Sequence, residues 1–78
     1  MLFDFSKLLG RIKEYGYTQT LMAKELGISD NAFTNKIKGR NYFTALEIAY
    51  MCKVLEIPSD MVGIYFFTPK VWKSNPLV

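Results

Sequence analysis

Four residues at fixed offsets, Ala23, Gly27, Ile28 and Phe33, constrain this chain more than any other feature of it. Apolar spacing around them predicts one short helix before Gly27 and another after Ser29. Helices joined so tightly must cross at close range. Ala23 is small where the second helix of the pair comes near. Gly27 supplies the left-handed backbone that ends the first helix without steric cost. Ile28 and Phe33 plug the corner between the two. The spacing therefore predicts a helix-turn-helix.

The rest reads as further short helices, with no strand-period segment. Phe5, Leu8, Leu9 and Ile12 form one helical stripe, with Asp4 as N-cap and Gly16 as stop. Thr18 caps the second helix, whose Met22, Ala23 and Leu26 face inward. Ser29 caps the third, with Asp30 at the positive end of its dipole. Ala32, Phe33 and Ile37 form its inner face, and Gly39 closes it. Thr44-Ala45-Leu46-Glu47 is a capping box. It opens a fourth helix in which Ala45, Ile48, Ala49, Cys52 and Leu55 follow helical spacing. Ile57-Pro58 breaks the chain. Ser59 caps a short fifth helix with Met61, Ile64 and Tyr65 apolar, and Pro69 takes the tail out of helical geometry. The expectation is an all-α fold of five helices, with a domain over residues 1–67 and an extended tail over 68–78.

In a chain of 78 residues, one cysteine and no histidine leave no intrachain disulfide and no zinc knuckle. Packed helices or a partner surface must supply the stability. A composition 50% hydrophobic and 22% charged is that of a folded chain, not a disordered one. Histidine is the commonest general base and metal ligand, and it is missing. No acid/base pair, metal cluster or phosphate loop stands out, so no enzyme activity, metal or cofactor is expected. Cys52 reads as a small core residue of the fourth helix. The N-terminus lacks a basic region and a long apolar stretch, so no signal peptide is expected. The longest apolar or glycine run, Met61 to Phe67, is too short to span a bilayer. The reading is a soluble cytoplasmic protein.

The net charge of +3 is unevenly placed: residues 29–43 carry Lys36, Lys38 and Arg40 against Asp30, while residues 44–78 balance. A local basic patch beside a helix-turn-helix points to an anionic partner. The same cations also suit a helix C-terminus answering its own dipole.

Gln19-x-x-x-Ala23-x-x-x-Gly27-Ile28-Ser29, the apolar Phe33 and Lys38-Gly39-Arg40 resemble the lambda-repressor-like (Cro/cI-type) helix-turn-helix domains. The resemblance spans roughly residues 5–66. The opening Phe3-Asp4-Phe5-Ser6-Lys7-Leu8 and the ending Tyr65-Phe66-Phe67-Thr68-Pro69-Lys70-Val71 look more narrowly like small Cro-like regulators of phages and prophages. The resemblance implies a recognition helix at about 29–38, lying in a DNA major groove. Ser29, Asp30, Asn31, Thr34 and Asn35 would face the bases. Asparagine can pair bidentately with adenine, threonine can touch a thymine methyl, and Asp30 can accept from cytosine. Gln19, Lys36, Lys38, Arg40 and Asn41 would hold phosphates and position the domain. Two departures stand out. Lys36 occupies a place where the resembled pattern is apolar, which predicts a rotated or tightened last turn. Asp30 and Asn31 stand where arginine or glutamine is frequent.

Leu46, Tyr50 and Val54 form a second apolar stripe on the fourth helix, and Phe66, Phe67 and Trp72 add apolar surface near the C-terminus. These either pack on the protein's own core or form a dimer or partner surface. The resemblance implies a homodimer on a palindromic operator in double-stranded DNA, within the bacterial host cytoplasm. About six phosphate contacts per dimer give a slope of log affinity against log salt near −5. The expected function is a sequence-specific, Cro-like transcriptional repressor of phage or prophage origin that acts by promoter occlusion. The alternative is an antirepressor-type module that binds another phage regulator through the fourth helix and the aromatic tail. Alanine at Asn31 and Asn35 separates the two.

Overall fold

Short polar side chains set where the helices begin. The computed structural model of the chain describes residues 3–70. Thr18 Oγ1 accepts from the Leu21 amide at 3.0 Å and Ser29 Oγ from the Ala32 amide at 3.0 Å. The Thr44 box is closed from both sides, with Glu47 N donating to Thr44 Oγ1 at 3.1 Å and Thr44 N to Glu47 Oε1 at 2.9 Å. Each bond satisfies an amide that has no partner within its own helix. These caps open α2 (Gln19–Leu26), α3 (Asp30–Ile37) and α4 (Ala45–Val54). They follow α1 (Ser6–Glu14) and precede α5 (Val62–Phe66), which a 3-10 turn at Ser59–Met61 leads into. Among the described residues the fold is all-α, with five helices and no strand.

Two of the expected caps differ. Asp4 acts from one place further out, its Oδ1 accepting from Ser6 N at 2.9 Å and Ser6 Oγ at 2.7 Å. Ser59 caps no helix; it begins the 3-10 turn, and Met61 N bonds the Pro58 carbonyl at 2.9 Å.

The core gathers Phe5, Leu8 and Ile12 from the α1 region, Met22 and Ala23 from α2, Phe33 from α3, Met51, Leu55 and Ile57 from the α4 region, and Phe66 from α5. On α4 the inward line is Ile48, Met51, Cys52 and Leu55, while Ala45 and Ala49 are exposed. The expected stripe is thus rotated toward the larger side chains, because an alanine methyl removes little apolar area from water. Phe43, on the α3–α4 connection, packs edge-on against Phe5, Phe33 and Phe66, with centroids 5.5, 5.7 and 6.0 Å away. Such contacts stabilise beyond area burial alone. Burial pushes the Cys52 thiol pKa up, as suits a packed small residue.

The two ends of the described chain meet. Phe3 forms an antiparallel bridge with Pro69, and Asp4 N donates to the Thr68 carbonyl at 2.7 Å. The Phe3 ring stands edge-on to Phe67. Thr68 and Pro69, expected in a separate tail, therefore pair with the segment that leads into α1. At the far end of α4, Arg11 donates to the Leu55 carbonyl at 2.9 Å and the Glu56 carbonyl at 3.0 Å. These bonds satisfy carbonyls that a helix C-terminus leaves open. Glu56 holds a left-handed φ of 51° there, and Tyr15 donates to its carboxylate at 3.0 Å.

Candidate nucleic-acid interface

The α2–α3 join is built as the spacing predicts. Gly27 takes φ 74° and Ile28 N closes on the Ala23 carbonyl at 3.0 Å. Ala23 is fully buried and Phe33 is 1% exposed. The join pins the apolar side of α3 onto α2 and turns the polar side outward.

Ser29, Asp30 and Asn31 are exposed at the N-terminal end of α3, with Thr34 and Asn35 half-buried one turn later. Their chemistry differs. Ser29 Oγ already serves as the cap. Asp30 Oδ2 accepts from Thr20 Oγ1 at 3.3 Å, a long bond across to α2. Asn35 Oδ1 accepts from Arg40 Nη1 at 3.2 Å, and its carbonyl accepts from the Arg40 amide at 2.9 Å. Asn31 is the amide on this face outside any such bond among the described residues. Gln19 is exposed at the first position of α2, and Lys38, Arg40 and Asn41 are exposed beyond α3.

Lys36 departs from its expected role. Its Nζ lies 2.8 Å from Glu47 Oε1 and 3.1 Å from the Tyr42 carbonyl. The two side chains of the ion pair are only 12% and 14% exposed. Burial pushes the Glu47 carboxyl up, but the Lys36 ammonium and the Thr44 amide outweigh it and hold it below the ordinary 4.5. Lys36 therefore turns inward, because a carboxylate at the start of α4 offers a better partner than water. The last turn is not tightened, since Lys38 N still bonds the Thr34 carbonyl at 2.9 Å. The lysine fits an apolar place by taking an acid with it. Sequence reasoning missed this pairing; a separation of eleven positions follows no local period.

The expected partner surface divides. Leu46 is 83% exposed, and Tyr50 is half-exposed with its hydroxyl donating to Glu25 Oε1 at 2.6 Å. That bond raises the Tyr50 pKa. Leu46, Tyr50, Leu26, Glu25 and Glu47 line an open groove between α2 and α4. Val54 packs against the core. Phe66 is 1% exposed and belongs to the core, so it is no surface residue: α5 turns it toward Phe43. Phe67 is half-exposed on Phe3, and Trp72 lies outside the described residues. No described helix is long and apolar enough to cross a membrane.

Residues 1–69 match the model of a family described as a protein of unknown function, DUF739. That is most of the chain, and the chain belongs to this family. None of the curated proteins matches it.

Proposed function

We propose that this DUF739 chain is a sequence-specific DNA-binding regulator of transcription, a Cro-like repressor of phage or prophage origin. The observation that supports the reading is the outward polar end of α3, buried on its other side against α2 and followed by exposed Lys38 and Arg40. A helix set this way can enter a major groove with its first residues at the base edges. Asn31 is the side chain best able to read a base, bidentately to adenine N6 and N7. Lys38 and Arg40 hold phosphates, with Asn35 steadying the guanidinium. Gln19, at the start of α2, and Asn41, after Arg40, add further phosphate contacts. A homodimer on a two-fold operator would set two α3 helices roughly 34 Å apart and exclude polymerase from an overlapping promoter in the host cytoplasm.

Fluorescence anisotropy with DNA from around its own gene, and with a scrambled control, tests this. One fragment is expected to bind far more tightly than the control, and Asn31→Ala to erase the preference at a cost of about 1–3 kcal/mol. Equal, weak binding of all fragments would refute the reading. With Lys36 turned inward, two phosphate-facing cations per protomer give a dimer slope of about −3.6 in log salt, shallower than three cations would give.

The nearly bare Leu46 beside Tyr50 favours a second reading, a module that binds another regulator along the α2–α4 groove. Under that reading Leu46→Asp abolishes function and Asn31→Ala spares it.

A further inference from the structure

The connection from α3 to α4, residues 38–44, carries the exposed cations Lys38 and Arg40 yet is tied down along its length. Asn35, in the last turn of α3, holds its first half: its carbonyl accepts from Arg40 N at 2.9 Å and Asn41 N at 3.4 Å, and its Oδ1 from the Arg40 guanidinium. Lys36, the next residue, holds the second half. Its ammonium reaches the Tyr42 carbonyl and the Glu47 carboxylate, and the same carboxylate oxygen accepts from Thr44 N. The ammonium also sits 5.9 Å from the centre of the Phe43 ring. A phosphate arriving at Lys36 would meet the Glu47 carboxylate beside its ammonium, 2.8 Å away, and two anions repel.

We infer that Lys36 is a positioning residue: paired with Glu47, it fixes the α3–α4 connection so that Lys38 and Arg40 are presented to two backbone phosphates of a DNA duplex already in place. This rests on the DNA-binding reading above. Ordering the backbone that carries these side chains before the encounter removes an entropic cost that binding would otherwise meet. Lys36 thus acts on affinity without neutralising a phosphate.

The test separates a strut from a contact by salt dependence. The affinity of the whole chain for a labelled random-sequence duplex is measured by anisotropy over a range of salt. The central variant is Lys36→Met with Glu47→Gln, which removes the pair together, leaves no orphaned buried charge and keeps the net charge of the chain. Lys38→Ala and Arg40→Ala serve as references, each expected to lower the slope by about 0.9 per contact removed. For the double variant the expected result is affinity down by about three- to tenfold with the slope unchanged. A slope shallower by about 0.9 per contact, so about 1.8 for the dimer, overturns the inference, because Lys36 is then itself a phosphate contact. Unchanged affinity and slope with a lowered melting temperature overturns it too, leaving a purely structural pair. If the double variant does not fold, Glu47→Gln alone is read the same way: affinity lowered at constant slope is expected, whereas equal or higher affinity, from a Lys36 released to a phosphate, overturns the inference. Should the wild-type chain bind no duplex even at low salt, the DNA-binding reading itself falls, a result distinct from all of these.

Discussion

Lys36 and Glu47 lie eleven positions apart in sequence and share one hydrogen bond, on the same carboxylate that closes the cap of α4. The folded state holds the Glu47 carboxyl below its ordinary 4.5. A depressed carboxylate pKa contributes stability that is complete above the unfolded value and lost as pH falls through the folded one. The stability difference between the wild type and Glu47→Gln is therefore expected to be largest near neutrality and to shrink below about pH 4.5, read from urea midpoints along a pH series. A difference that stays constant into acid would show that charge has no part in it. At Ala23, fully buried under α3, Ala23→Leu forces the helices apart and costs about 1–3 kcal/mol. Calorimetry reads it as a lowered melting temperature.

At the scale of the element, two glycines make opposite predictions from similar surroundings. A Cβ at Gly10 or at Gly27 would meet nothing within 4 Å. Only backbone conformation distinguishes them. Gly27 holds φ 74° at the end of α2, so Gly27→Ala is expected to cost about 1 kcal/mol. Gly10 lies inside α1, so Gly10→Ala is expected to stabilise by about 0.5–1 kcal/mol. Chemical denaturation of both variants checks the sign; two shifts in the same direction would contradict the account. The helix starts at Thr18, Ser29 and Thr44 were legible because a cap is a local bond, three residues long. Ser59 caps no helix for a related reason: the Pro58 carbonyl takes the Met61 amide, one of those a cap at Ser59 serves.

Over the whole molecule, Phe43 does what no helix stripe does. It stands between Phe5, Phe33 and Phe66 and so joins the α1 entry, the candidate recognition helix and α5. Phe43→Ala is expected to cost about 2–3 kcal/mol, a large share of what a single core this small supplies. Hydrogen exchange is expected to lose protection in α3 and α5 together, and a loss confined to the α3–α4 connection would contradict that role. The same scale decides what remains available to partners. Phe66 and Phe67 are adjacent in sequence and equally apolar, but α5 buries one and leaves the other half-exposed.

The sequence by itself determined the helix content, the α2–α3 join, three of the caps and the placement of exposed polar residues at the head of α3. All of these follow from contacts within a few residues, where backbone stereochemistry and hydrophobic period are sufficient. Only the tertiary structure decided that Lys36 turns inward to Glu47, that Met51 rather than Ala45 or Ala49 lines the core, and that Thr68 and Pro69 pair with the start of the chain. Each of those depends on which distant group lies opposite. A charged side chain takes its partner, and an apolar one its burial, from the space that the assembled helices leave.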